Sequence, residues 1–200
     1  MTPERFLSIF LDFFLSPDSN LKQRLVEHLR RNAVRTDGPF TLRSGAVSDW
    51  YIDARQTTFD GAGSILVGEA ICEALDSRVT AVGGLTMGAD PIAVSAVGLS
   101  AARGRSLRAF SVRKAAKDHG TGGRLVGPVR ADDVVAVVED TTSTGSAMFE
   151  AIEALSEAGI EIAQVITLVD RSGGVAAAKV GRVGIPYVVL VTPADLGVTE

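Results

Sequence analysis

Short apolar runs alternate with amphipathic segments over most of the chain. From residue 61 onward this pattern predicts helices at 64–75, 91–101, 147–158 and 175–180, and strands at 79–82, 107–112, 134–138, 162–169 and 187–191. Near-continuous apolar strands that alternate with helices are typical of a parallel sheet covered on both faces. We therefore predict an α/β fold whose ligands bind outside the carboxyl ends of the strands.

The first sixty residues have a different pattern. An amphipathic helix is predicted over 21–34, capped by Asp18 or Ser19, and two short strands at 40–42 and 50–52 flank a turn at Ser44 and Gly45. Residues 6–15 are strongly apolar, but Asp12 interrupts them and the run is too short to span a membrane. We expect a packed or loosely attached extension helix over 1–20, or a non-essential extension from an upstream start codon.

Composition narrows the class of protein. A net charge of −4 argues against general nucleic-acid binding. Between residues 103 and 130, however, eight Lys or Arg stand against one acid, Asp118. This basic segment indicates either a binding site for a compact anion or a solvated loop. The single cysteine, Cys72, cannot form an internal disulfide, which favours a reducing compartment.

The most informative segment is 134–147. Its apolar run ends at Glu139 and Asp140, a loop of small residues follows, and a helical pattern begins at Ala147. Backbone amides at a helix N-terminus favour a phosphate, and adjacent carboxylates can accept sugar hydroxyls. The segment therefore predicts a site for a phosphorylated sugar. The chain has neither a GxxxxGK[ST] nor a helix-opening GxGxxG motif, so an ATPase and a dinucleotide enzyme are poorly supported.

The same segment resembles the phosphoribosyltransferase signature for 5-phosphoribosyl-1-diphosphate. Three other segments extend the resemblance to the orotate phosphoribosyltransferase family: 40–51, similar to F-x-L-K-S-G; 112–122, similar to R-K-x-x-K-x-H-G; and 169–171, Val-Asp-Arg. All of them stand in family order, from about Phe40 to the C-terminus. The resemblance implies a type I phosphoribosyltransferase fold: a central, mostly parallel sheet flanked by helices, with a small N-terminal hood and a mobile basic lid loop. It implies one domain over 21–200, with the hood at about 21–60 and the core at about 61–200.

The resemblance also assigns roles to residues. Orotate and 5-phosphoribosyl-1-diphosphate would be the substrates, and Mg²⁺, held mainly by the diphosphate, the cofactor. The implied catalytic residues are Lys117, Arg113, Lys114, His119 and Asp140. The implied substrate-binding residues are Glu139, Asp140, Thr141, Thr142, Ser143, Thr144, Gly145, Ser146, Ala147, Arg171, Arg43, Thr86 and Met87. In the family the lid reaches the neighbouring subunit's site, which implies a homodimer with shared sites. We also expect a cytoplasmic location.

The sequence departs from the family pattern at two places. Arg43 stands where lysine is usual in the family, so a planar guanidinium replaces a compact ammonium. Thr86 and Met87 stand where many members have a Tyr-Lys or similar pair, so any lysine contact to pyrophosphate from that turn is absent. Two alternatives remain: a phosphoribosyltransferase for another base, and a non-catalytic regulator that senses the ribosyl diphosphate. The regulator should carry a basic recognition helix, and the sequence has no clear one.

Overall fold

The computed structural model describes residues 20–41, 45, 47–115 and 123–198. The extension predicted before residue 20, and the site residues Arg43, Lys117 and His119, lie outside these ranges. The described helices are α1 (Leu21–Asn32), α2 (Arg55–Thr58), α3 (Gly61–Ala74), α4 (Ala89–Ala102), α5 (Ser146–Glu157) and α6 (Val175–Arg182). The described strands are β1 (Val34–Arg35), β2 (Phe40–Thr41), β3 (Val47–Ser48), β4 (Tyr51–Ile52), β5 (Ala81–Leu85), β6 (Arg108–Val112), β7 (Leu125–Val126), β8 (Val134–Thr142), β9 (Glu161–Asp170) and β10 (Tyr187–Val191).

Six of these strands form the central sheet, in the order β10-β9-β8-β5-β6-β7. Every neighbouring pair is parallel except β6 and β7, which are antiparallel. Successive residues of β8 face opposite sides: Val138 packs in the core formed with α1, α3 and α4, and Val137 packs in the core formed with α5. The predicted α/β architecture, with helices on both faces of a mostly parallel sheet, is confirmed. Within the described residues, no helix is long and apolar enough to cross a membrane.

The strand β5 differs from its prediction. Residues 83 and 84 were expected to open a glycine-rich turn, but both lie inside the strand. A Cβ on Gly83 would stand 2.1 Å from the carbonyl oxygen of Phe110, and one on Gly84 would stand 2.2 Å from that of Val138. These glycines therefore permit the close approach of the neighbouring strands, and the turn itself begins at Thr86.

The strand β8 is longer than predicted. It continues through the two acids to Thr142, because β9 pairs with it as far as Thr142 opposite Asp170. Glu139 and Asp140 are consequently fixed by a strand ladder rather than carried on a loop.

The N-terminal strands also pair differently from the prediction. β2 pairs with β3 in an antiparallel ladder, whereas β4 pairs with β1, the extension of the first helix. The residue that precedes α1 is Asn20, which makes no side-chain capping hydrogen bond. The predicted caps, Asp18 and Ser19, lie outside the described residues. β4 and the segment after it line a cavity together with residues at the ends of β5 and β8.

Asp133 forms a buried polar centre just before β8, at the edge of the sheet opposite the carboxyl ends of its parallel strands. Its carboxylate accepts hydrogen bonds from Thr80 Oγ1 at 2.6 Å, from the backbone N–H of Arg130 at 2.7 Å, and from the guanidinium of Arg108. Burial opposes the ionisation of Asp133, but these hydrogen bonds prevail and hold its pKa at about 2. The interaction ties β5, β6 and β8 together at the end of the sheet that lies away from the predicted site.

Candidate active site

The two acids of β8 lie in contrasting environments. Glu139 is 7% exposed, and its Oε2 atom has no hydrogen-bond partner within the described residues. Burial and the neighbouring Asp140 carboxylate raise the pKa of Glu139 to about 8. Burial also raises the pKa of Asp140, but the N–H of Thr141, which donates to Asp140 Oδ1 at 2.7 Å, and the Arg55 guanidinium act in the opposite direction. The site thus holds one carboxyl that is mainly neutral at pH 7 next to one that is better stabilised as an anion.

The loop after β8 is built to expose backbone N–H groups. Gly145 has a φ of +80° at the N-terminus of α5, a conformation that favours glycine. Thr144 Oγ1 and Ser146 Oγ lie 2.9 Å apart, and Lys179 Nζ donates to the carbonyl oxygen of Thr144 at 2.6 Å. The helix dipole and the unpaired amides of the first turn favour an anion at this position. The arrangement fits a phosphate group.

Two cavities meet at these acids. The first has a volume of about 500 Å³ and lies between the β4–α2 segment, the turn after β5 and the acids. The second has a volume of about 310 Å³ and lies over the loop that opens α5. Both are lined by Leu85, Lys114, Glu139, Thr141 and Ala147, so they form one continuous cleft. A ligand can therefore extend from the phosphate loop past the acids to the β4–α2 segment.

The turn after β5 forms one wall of the first cavity. Thr86 Oγ1 donates to Asp90 Oδ2 at 2.7 Å, and Met87 is 56% exposed. A Cβ on Gly88 would stand 2.6 Å from Asp140 Oδ1, so the backbone of this turn lies directly against the carboxylate. The turn contributes backbone and uncharged side chains to the cleft.

Arg171 links the end of β9 to the N-terminal strands. Its N–H donates to the carbonyl oxygen of Thr142 at 2.8 Å, and its guanidinium carbon lies 4.3 Å from the centre of the Trp50 ring. The preceding Asp170 accepts hydrogen bonds from Ser172 N–H at 2.7 Å and from Tyr187 O–H at 3.0 Å. This network holds the arginine beside the cleft in a stacked geometry, which suits a planar guanidinium.

Most of the predicted site residues come together in the cleft. Its lining includes Thr86, Met87, Lys114, Glu139, Asp140, Thr141, Thr142, Ser143, Thr144, Gly145, Ser146 and Ala147. Of the other predicted residues that the structure describes, Arg113 and Arg171 line neither cavity. Arg113 instead pairs through its backbone with Arg124, at the base of the basic segment.

Several residues of the cleft were not predicted. They include Asp53, Arg55 and Gly88 in the first cavity and Glu150 in the second. The spacing of Asp53 and Arg55, a charged pair directly after an apolar strand, was a signal available in the sequence. The signal is not specific, because a charged pair after a strand is common on protein surfaces.

The fold and the cleft together define a type I phosphoribosyltransferase. No protein-family model matches the chain. The chain is 42% identical to the orotate phosphoribosyltransferase of Streptomyces coelicolor over 180 residues, covering 90% of this chain and 98% of that protein. It is 43% identical to that of Corynebacterium glutamicum over 183 residues, covering 91% and 97%.

Solved structures agree with these relatives. The Mycobacterium tuberculosis orotate phosphoribosyltransferase in complex with inorganic phosphate has a TM-score of 0.79 and 36% identity, covering 90% of this chain and 100% of that one. The same enzyme in complex with 5-phospho-alpha-D-ribosyl 1-diphosphate has a TM-score of 0.73 and 34% identity, covering 89% and 99%. The chain belongs to the orotate phosphoribosyltransferase family.

Proposed function

We propose that this protein transfers a phosphoribosyl group from 5-phosphoribosyl-1-diphosphate to orotate, giving orotidine 5′-monophosphate and pyrophosphate in pyrimidine biosynthesis. The observation that carries the proposal is the pair Glu139 and Asp140 at the end of β8, directly before a loop of small residues at the N-terminus of α5. A ribose and its 5-phosphate require these two features side by side.

The donor would lie along the cleft. In this proposal Glu139 and Asp140 accept hydrogen bonds from the ribose 2- and 3-hydroxyls, while the amides and hydroxyls of residues 141–146 hold the 5-phosphate. The continuity of the two cavities supports this orientation, because the ribose and its phosphate then occupy adjoining spaces. The acids also lie on the side where positive charge develops at the ribosyl centre.

The leaving pyrophosphate requires positive charge that is in place before the reaction. We assign this role to the basic segment, with Arg113, Lys114, Lys117 and His119 acting on the diphosphate, and Lys117 as the most critical of them. Lys114 lines both cavities, which supports the assignment. A lid made by this segment would exclude water, which could otherwise hydrolyse the donor.

Orotate would bind at the hood end of the cleft. We assign Ser143, Arg171 and Arg43 to the base. The stacking of Arg171 on Trp50 supports this assignment, because it fixes a guanidinium near the segment that leads into the first cavity. In the proposed organisation, residues 21–60 form the hood and residues 61–200 the core of one domain.

The donor set of the cleft fits Mg²⁺. Carboxylate and phosphate oxygens suit this ion, and Glu139 Oε2 is a buried oxygen with no partner within the described residues. The described residues contain no cluster of three or more His, Cys, Asp or Glu side chains that could hold a metal alone. We therefore propose that the diphosphate supplies most ligands, with Glu139 and Asp140 supporting the ion from the ribose side. When bound, Mg²⁺ neutralises negative charge and orients the leaving group.

The assembly and location of the enzyme are also proposals. We infer a homodimer in which the basic segment of one protomer completes the site of its partner, and a cytoplasmic location, in keeping with the lone Cys72. Mixing two inactive variants, Lys117→Ala and Asp140→Asn, tests whether the active sites are shared between protomers. If they are shared, a heterodimer of the two variants regains one intact site. Verified heterodimers without recovered activity would contradict it.

The reaction is tested by incubating the protein with Mg²⁺, 5-phosphoribosyl-1-diphosphate and each candidate base, and following the ultraviolet absorbance of orotate. We expect orotate to be consumed in step with pyrophosphate release. Turnover of uracil or a purine without consumption of orotate would overturn the assignment.

A further inference from the structure

Arg55 lines the first cavity and is held by a neighbouring carboxylate. It is the first residue of α2, three positions after the end of β4. Asp53 Oδ1 accepts from the backbone N–H of Arg55 at 3.2 Å and from its Nε at 2.7 Å. Within the described residues, the terminal amino groups of this guanidinium make no hydrogen bond, and the side chain is 47% exposed. Asp53 therefore orients the arginine and leaves its terminal donors facing the cleft.

The charges around the first cavity are unevenly distributed. Among the described residues that line it, the cations are Arg55 and Lys114, and the acids are Asp53, Glu139 and Asp140. Arg55 is close enough to Asp140 to oppose the burial that raises the pKa of that carboxyl. The arginine and these acids thus line the same cavity, which is the space that the donor would occupy.

The wall formed by the turn after β5 carries no charge of its own. The Thr86 hydroxyl is engaged with Asp90, and Met87 presents a thioether. A diphosphate that leaves the ribose along this wall would meet backbone and uncharged atoms. Such a group needs a cation from another element, and Arg55, at the start of α2, lines the same cavity.

We propose that Arg55 binds the diphosphate of the ribosyl donor, supplying from the hood the positive charge that the turn at residues 86–88 lacks. The inference rests on the proposed function, because it takes the ribosyl diphosphate as the ligand. A planar guanidinium held by Asp53 can donate two parallel hydrogen bonds to phosphate oxygens. Arg55 is then a substrate-binding residue, and Asp53 is a positioning residue that acts through it.

The test distinguishes a loss of diphosphate binding from a loss of binding to the nucleotide part of the ligand. For Arg55→Ala we expect the KM for the donor and the Kd for inorganic pyrophosphate, measured by calorimetry with Mg²⁺, to rise about ten- to a hundredfold, the loss of a charge-assisted hydrogen-bonded contact. Orotidine 5′-monophosphate carries no diphosphate, so its Kd should change by less than about threefold, within the range of a minor contact. The Kd of Arg55→Lys for pyrophosphate should lie between those of the wild type and Arg55→Ala.

A matched control comes from the same local motif elsewhere in the chain. Asp76 Oδ1 accepts from the N–H of Arg78 at 2.8 Å and from its Nε at 3.3 Å, as Asp53 does with Arg55, but this pair lies outside the cleft. Arg78→Ala should leave the pyrophosphate Kd unchanged. Thermal unfolding of each variant verifies that it is folded.

A compensating substitution tests whether the charge itself is what matters. Met87 lines the same cavity and is exposed, so Met87→Lys in the Arg55→Ala background returns a cation to this cavity from the turn after β5. We expect the double variant to recover at least part of the pyrophosphate affinity, which a purely structural role of Arg55 would not allow.

Three results would overturn the proposal: an unchanged pyrophosphate Kd in Arg55→Ala, an equal loss of orotidine 5′-monophosphate affinity, or a double variant no better than the single one. Failure of the proposed function is a distinct result. In that case the wild type would not consume orotate, whereas the pyrophosphate measurements need no turnover.

Discussion

Glu139 makes the stability of the protein depend on pH in a window that its burial defines. The pKa of this carboxyl is about 8 in the folded protein, against an ordinary value of 4.5. Between these values the folded state holds a proton that the unfolded state has released, so stability falls as pH rises. The effect is fully developed at about pH 8 and absent below about pH 4.5.

The magnitude follows from the linkage relation. One proton bound only in the folded state costs about 1.4 kcal/mol per pH unit as pH rises. At pH 7, about 2.5 pH units above the ordinary value, the free energy of unfolding is about 3 kcal/mol lower than under acidic conditions on account of this group. For a chain of 200 residues, this corresponds to a decrease in Tm of roughly 6–12 °C.

Glu139→Gln removes this titration and keeps the shape of the side chain. Urea unfolding at pH 5, 6, 7 and 8, at one protein concentration, should show the variant gaining stability relative to the wild type by about 4 kcal/mol across the series. The change with pH is the diagnostic quantity, because the buried amide has a pH-independent effect of its own.

Glu157→Gln is the control for this series. Glu157 is the exposed last residue of α5, so the substitution leaves the buried carboxyl of Glu139 in place. The decrease in stability with rising pH that the wild type shows should persist in this variant. If the Glu139→Gln profile is also parallel to the wild type, the buried carboxyl is ionised in the folded protein and the reasoning is refuted.

Three further predictions concern positions outside this titration. Asp133→Asn should lower the free energy of unfolding by about 2 kcal/mol at pH 7. The loss should shrink as pH falls from 3.8 to 2, because the low pKa stabilises the fold only while the carboxyl is ionised; an equal loss by urea unfolding at pH 7 and pH 2 would contradict this. Gly88→Ala should raise the KM for the donor about tenfold or more, because its methyl group meets the carboxylate of Asp140, which we propose binds the ribose. Gly98→Ala, at a helical glycine with no atom within 4 Å of the new methyl, should leave that KM unchanged. Tyr187→Phe should cost about 1–2 kcal/mol of stability. It should also raise the KM for orotate more than that for the donor, because the hydroxyl holds Asp170; an equal fold change in the two KM values would show that this loop does not need the bond.

The core of the fold was readable from the sequence because its signals are local. The strand at 187–191 was predicted with its observed bounds, and the helices that cover the sheet were each located within a few residues. The errors lie where a neighbouring strand decides the outcome. From the sequence, Gly83 and Gly84 indicate a turn, but they lie in β5 because carbonyl oxygens of the adjacent strands occupy the space that a Cβ would take. β8 is longer than its local pattern predicts because it pairs with β9 as far as Thr142.

The candidate site divides along the same line. The wall that we propose holds the ribose and its phosphate is one continuous stretch, from Glu139 to Ser146, so its residue types and spacing indicated this chemistry directly. The wall formed by the β4–α2 segment depends on the pairing of β4 with β1, a strand that begins seventeen positions earlier, and Arg171, from the far end of the chain, stacks on Trp50 beside it. Asp53 and Arg55 acquire a function only through that pairing, which is why a local reading passed over them. A charged pair after a short strand becomes informative only when the position of that strand in the fold is known. In this protein the pair is Asp53 and Arg55, and it lines the same cavity as the uncharged turn after β5.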